Sequence, residues 1–164
     1  MIKINTVQME VALAMFFDYR QCIIVPQISW GMVLHECDLL VMSKSGYATE
    51  VEIKISKQDL IVDAKKRHGH LNEKISRLYF AIPKVLEKYI DCIPARAGII
   101  VVAENFTYTN GFRRGIKVLR QPLIKARKDC YKFSDKEIFQ MARLGTMRIW
   151  ALKQKILKIK KKGK

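Results

Sequence analysis

Four carboxylates and two lysines fall within residues 35–55, HECDLLVMSKSGYATEVEIKI, and the chemistry they suggest is that of a divalent cation. Asp38 and Glu52 are hard oxygen donors of the kind that hold Mg²⁺. Lys54, two residues beyond Glu52, could orient a water or stabilise charge on an anionic substrate. The elements that must position them read as two strands, 37–42 and 48–55, rich in Val, Ile and Leu and joined by the turn formers Ser43, Lys44, Ser45 and Gly46. On the second strand Val51, Ile53 and Ile55 alternate with Glu50, Glu52 and Lys54, which gives one apolar and one charged face. A turn centred on Ser45 sets Asp38 opposite Glu52, Leu40 opposite Glu50 and Glu36 opposite Lys54. Like charges directly opposed across a strand pair are destabilising, and a cation bound between them supplies the reason for the arrangement. The alternatives are a solvated sheet face and a Lys54–Glu36 salt bridge.

Asp38 followed by Glu52-Ile53-Lys54 resembles the signature of the PD-(D/E)xK nuclease superfamily, with Cys37 standing where many members have Pro. The wider context is similar to the MmcB-like DNA repair branch of that superfamily: Val51-Glu-Ile-Lys, then Asp59 and Asp63, Leu78-Tyr-Phe-Ala-Ile-Pro and Ala97-Gly-Ile-Ile. The resemblance spans residues 5 to 104. It implies a restriction-endonuclease-like fold and a Mg²⁺ or Mn²⁺ cofactor held by Asp38, Glu52 and the Ile53 carbonyl. It also implies a first-helix carboxylate, here Glu10, joining the metal cluster, and Lys54 assisting the attacking water.

Composition sets the outer bounds. At 164 residues and 49% hydrophobic content, the chain is one domain's worth with a real core. There is no run of eighteen apolar residues and no signal-peptide pattern, so the expectation is a cytoplasmic protein without a transmembrane segment. Cys22, Cys37, Cys92 and Cys130 are scattered, without a CxxC pair, and read as reduced, mostly buried thiols. The net charge of +16 suits a polyanion, nucleic acid first and an anionic membrane surface second.

Along the chain, Asn5 caps a helix to about Tyr19 with Val7, Val11 and Ala14 as its apolar stripe and Glu10 beside it. Cys22 to Val25 is a short strand, and Trp30 in the following loop is expected on the core. Ser56 to Asp59 opens a helix to about Arg67, with Asp59 read as a capping residue and Asp63 as solvated, the alternative being that one of the two lies near the site. His68-Gly69-His70 reads as a loop rather than a zinc site. A short helix is expected at 71–76, a strand at 77–82, a helix from Pro83 to Ile90 and a doubly covered strand at 97–102. The fold class is therefore α/β, a mixed sheet of four or five strands flanked by helices. Residues 1–104 form the nuclease-like core. Residues 105–152 form a basic hairpin around Asn110-Gly111 and a capped helix from Ser134 to Glu137 onward, with Gly145 as a weak point or bend. Residues 153–164 form a lysine-rich tail, read as a frayed helix or a disordered arm.

Arg113, Arg114, Lys117, Arg120, Lys125, Arg127 and Lys128, with Tyr108 and Phe112 interleaved, suit contact with phosphates and unpaired bases, and Lys155 and Lys158 extend the basic surface. A solvated basic hairpin is the equal alternative. The expected activity is metal-dependent DNA phosphodiester hydrolysis, alone, as a homodimer or with a repair-complex partner. The alternative is a non-catalytic DNA-binding module of the same fold. On this reading Lys54→Ala leaves folding intact and abolishes cleavage.

Overall fold

The computed structural model describes residues 4–28, 35–63, 72–109, 112–124 and 126–162. Trp30, residues 64–71 with His68 and His70, the Asn110-Gly111 turn and Lys125 lie outside these residues. The order is α1 (Thr6–Phe16), β1 (Ile23–Ile28), β2 (Cys37–Met42), β3 (Ala48–Ile53), α2 (Lys57–Asp63), β4 (Ile75–Pro83), a 3-10 segment (Lys84–Cys92), β5 (Gly98–Thr109), β6 (Phe112–Arg120) and α3 (Asp135–Lys162).

All six strands form one sheet in sequence order, rather than the four or five expected. The first two pairings and the last are antiparallel, while β3–β4 and β4–β5 are parallel. The added strand is β6. Its arginines and lysines disguise an inward row in which Ile116 and Val118 pack on the core. β5 runs without a break through residues 104 and 105, so the basic hairpin grows directly out of a core strand.

One sheet face carries Leu39, Val41, Val51, Tyr79, Ala81, Ile100 and Val102 and is covered by α1. The other carries Val25, Leu40 and Met42 under Met141 and Leu144 of α3. Further along that face, Leu78, Phe80 and Ile82 lie under Leu60 of α2 and Leu86 of the 3-10 segment. Burying a side chain of this size contributes about 1.5–3 kcal/mol.

The capping box at Asn5 forms as the sequence indicates, with Asn5 and Gln8 exchanging side chain-to-backbone bonds of 2.9 Å. The buried stripe of α1 is different: Met9, Ala12 and Leu13 face the sheet, whereas Val7 and Val11 are exposed. Because α1 is apolar almost all round, its period does not choose a face, and the sheet takes the one with the longer side chains. The expected helix at 71–76 is a turn entering β4, because Asn72 Oδ1 accepts from Lys74 N at 2.9 Å and diverts the backbone. Pro83 ends β4, and the helix after it is a 3-10 segment kinked at Tyr89. At Gly145 a side chain would begin 3.3 Å from Val25 Cγ2, so the glycine marks close approach of α3 to β1. The lysine-rich end continues α3 as helix to Lys162.

Of the thiols, Cys37 is buried and the other three are half-buried. Among the described residues, no helix is long and apolar enough to cross a membrane.

Candidate functional site

The β2–β3 register is the one expected from the turn: Leu39 pairs with Val51, Leu40 with Glu50 and Val41 with Thr49. Gly46 at φ +81° closes the turn, a conformation that suits a residue without Cβ. Beyond Leu39 the ladder changes, and Asp38 Oδ2 accepts from the backbone N–H of Ile53 at 2.8 Å. The Asp38 side chain is thereby fixed at the mouth of the β2–β3 pair. Lys54 is held on the other side, its N–H donating to Ala81 O of β4 at 3.0 Å.

All six residues of β3 are buried, so Glu50 and Glu52 do not sit on a solvated sheet face. β3 is an inner strand, and α2 and α3 cover the face on which its carboxylates stand. Burying a carboxylate requires compensation. For Glu52 it comes from Lys54, whose Nζ lies 2.6 Å from Glu52 Oε2, 2.9 Å from Asp63 Oδ1 and 3.8 Å from Asp38 Oδ2. For Glu50 it comes from His35, whose Nε2 stands 2.7 Å from Oε1.

For Asp63 the structure follows the alternative reading, a place near the site. It is buried beside Lys54 rather than in solvent, because Leu60 anchors α2 on the sheet and residue 63, one turn later, shares its inward face. Lys54 is accordingly tied to Glu52, Asp63 and Asp38, and Glu36 is exposed. Sequence reasoning missed the His35–Glu50 pair, since no strand register relates those positions. It could have found Asp63 from its i, i+3 spacing to Leu60.

Charges at this edge act on one another. Burial works against the Lys54 ammonium, but the Glu52, Asp63 and Asp38 carboxylates outweigh it and raise its pKa above the ordinary lysine value. Burial, and then the charge of Asp38, raises the Glu10 carboxyl, which places the half-buried Glu10 within electrostatic reach of the site from α1. The Cys37 thiol is pushed up by burial and by Glu50 and Glu52, so it stays protonated and is no nucleophile.

The structure therefore brings together Asp38, Glu52 and Lys54 and adds Asp63, while Glu10 stands on α1, which covers the opposite face of the sheet. Among the described residues, no three His, Cys, Asp or Glu side chains form a ready-made metal cage. The donors that fit a cation are Asp38, 41% exposed in its side chain, and the Glu52 carboxylate behind it. Mg²⁺ keeps several waters and is commonly held by one or two carboxylates; here Glu52 Oε2 is engaged by Lys54 Nζ at 2.6 Å.

The sequence-predicted basic residues are distributed. Arg114 and Lys117 are exposed on β6, Lys128 is exposed after it, and Lys155 and Lys158 are exposed on α3. The side chains of Arg113 and Arg127 lie outside the described residues. Arg120 is a clamp within the fold, donating to the carbonyls of Ala97, Ile93 and Pro94. Val102 pairs with Pro83 at the end of β4, and β5 continues beyond it to Thr109. The hairpin carrying Arg114 consequently overhangs the same sheet edge as Ile53 and Asp38.

No protein-family model matches the chain, and no curated protein matches it. One solved structure, described as the SPO1766 protein of unknown function from Silicibacter pomeroyi, is similar with a TM-score of 0.60 at 18% identity. The match covers 93% of this chain and 94% of that one. At this identity the likeness is one of fold: the two chains share a mixed α/β architecture over nearly their whole lengths.

Proposed function

We propose that this protein is a metal-dependent DNA nuclease of the PD-(D/E)xK type, with a restriction-endonuclease-like core and a role in DNA repair. The observation that carries the reading is the convergence of the Asp38 and Glu52 carboxylates within 3.8 Å of the Lys54 ammonium, where β2 begins and β3 ends, in a strongly basic protein. The order helix, antiparallel hairpin, crossover helix and parallel strand supports it, as does the basic hairpin over the same edge.

In this reading Asp38, Glu52 and the Ile53 carbonyl would hold Mg²⁺ or Mn²⁺, with Glu10 as the further carboxylate that the resemblance offers. The bound ion supplies a water of lowered pKa and neutralises charge on the scissile phosphate. Asp38 is the member open to solvent and faces the substrate, with its second oxygen fixed by Ile53 N–H. Lys54 is a compact point charge that approaches one phosphate or water oxygen. Glu52 and Asp63 orient its ammonium before substrate arrives. Arg114, Lys117, Lys128, Lys155 and Lys158 neutralise flanking phosphates.

The test is cleavage of a panel of single-stranded, duplex and branched DNA with Mg²⁺ and Mn²⁺, comparing wild type with Asp38→Asn and Lys54→Arg. Both variants should lose at least 100-fold in rate while keeping the fold, a loss of the order assigned to one acid–base or electrostatic group. Cleavage by either variant at the wild-type rate would end the assignment.

A second reading, a non-catalytic DNA-binding module, is favoured by the contact of Lys54 with Glu52 and by the lack of a three-ligand cage among the described residues. It predicts DNA binding with no response of the protein to millimolar Mg²⁺ or Mn²⁺.

A further inference from the structure

α3 outruns the sheet. Met141 and Leu144 are buried, yet every side chain from Thr146 to Ile159 is exposed. From Thr146 to Lys162 this leaves roughly 25 Å of helix at 1.5 Å per residue. On it Ile149, Leu152, Ile156 and Ile159 are between 45% and 70% exposed. Their spacing of three, four and three residues is that of the a and d positions of a heptad. The e and g positions beside this seam hold Lys153 and Lys155, in the sequence Lys160 and Lys162, and at the start Arg148, whose guanidinium still donates to Gln27 O of β1. No acidic residue follows Glu137.

An isolated helix of this length is marginal in water, and four large aliphatic side chains in one stripe need a cover. Four covers compete. A second copy would set basic flanks against basic flanks in either orientation, with +16 on each chain. A bilayer would have to take in Lys153, which lies between Ile149, Trp150 and Leu157 on the helix surface. Its ammonium stands 5.0 Å from the centre of the Trp150 ring. Nucleic acid would engage the lysines and leave the aliphatic seam in water. An amphipathic helix with apolar a and d positions and Glu or Asp flanks answers both the seam and its charges.

We infer that the α3 overhang is a docking surface for an acidic amphipathic helix of another protein, paired with it as a two-stranded coiled coil. The seam residues Ile149, Leu152, Ile156 and Ile159 lie outside the Asp38–Lys54 site, while Lys155 is shared with the phosphate contacts proposed above, so an acidic helix docked here competes with DNA at that lysine.

The experiment uses the full chain and a labelled 28-residue probe peptide with Leu at a and d and Glu at e and g, followed by fluorescence anisotropy at physiological salt. The peptide should bind, and a scrambled peptide of equal composition should bind at least tenfold more weakly. Leu152→Ser and Ile156→Ser should each weaken binding at least tenfold. The paired change Lys153→Glu with Lys155→Glu, which leaves the seam intact, should switch preference to a peptide with Lys at e and g. That switch decides the matter should the serine variants lose helix. Equal binding of the scrambled peptide, or indifference to all these substitutions, overturns the inference. So does self-association that the serine variants abolish, or retention on phosphatidylglycerol vesicles that the acidic peptide does not displace.

Discussion

Removing the Lys54 side chain leaves Glu52 and Asp63, each 3% exposed in its side chain, without the ammonium both contact. An uncompensated buried charge costs roughly 3–5 kcal/mol. Lys54→Ala is therefore expected to lower the urea midpoint markedly, contrary to the sequence expectation of an undisturbed fold. Asp38→Asn is the cleaner variant, because its side chain is 41% exposed and an amide oxygen still accepts from Ile53 N–H. The pKa of Lys54 is raised on folding, so its contribution is complete below the ordinary value of 10.5 and is lost as pH rises through the raised one. The stability gap between wild type and Lys54→Met should narrow along that alkaline limb. Glu10 has the opposite consequence. Its pKa is also raised, but for a carboxyl this means that the folded state binds more protons, so stability falls as pH climbs past 4.5. Glu10→Gln should raise the metal-free melting temperature at pH 7 and leave it unchanged well below pH 4.5.

α3 depends on how it starts and how closely it lies on β1. Ser134 and Glu137 form the capping box, with Ser134 N donating to Glu137 Oε2 at 3.0 Å and Lys74 and Tyr131 converging on Oε1. The Ser134 backbone bond is the largest cause of the Glu137 carboxyl standing at about 2, with Lys74 and Tyr131 adding to it. Glu137→Gln keeps the capping box but removes the charge that Lys74 meets, and should destabilise by about 0.2–1 kcal/mol, the scale of an exposed ion pair. A lowered carboxyl pKa contributes stability above the unfolded value and loses it as pH falls. The difference between the two proteins in thermal melts should thus fade between pH 4.5 and about 2. At Gly145 a large side chain meets Val25, so Gly145→Leu should cost about 1–3 kcal/mol by overpacking, measured by urea unfolding.

Across the whole molecule, a charge of +16 accompanies a cluster of carboxylates around Lys54. Duplex DNA should bind more weakly as salt rises, on the order of 10³-fold between 50 and 200 mM if about six phosphates are engaged. Arg114→Glu with Lys117→Glu should reduce that slope. A divalent ion bound to the folded state alone should raise the melting temperature with the logarithm of one plus its concentration over Kd, and Asp38→Asn should abolish the rise. No rise with wild type at millimolar Mg²⁺ or Mn²⁺ would favour the non-catalytic reading.

Local chemistry was legible in the sequence: the Asn5 and Ser134 capping boxes, the Ser43–Gly46 turn and the β2–β3 register that follows from it. These depend on residues a few positions apart, whose side chains meet wherever the rest of the chain goes. What covers each element was not legible. That β3 is an inner strand, that Asp63 turns inward onto Lys54, that α1 presents Met9 rather than Val7 and that β6 joins the sheet are all decided by distant neighbours. A charged strand face reads alike whether water or a second layer lies over it, and only packing turns Glu52 and Lys54 from a surface pair into a buried one.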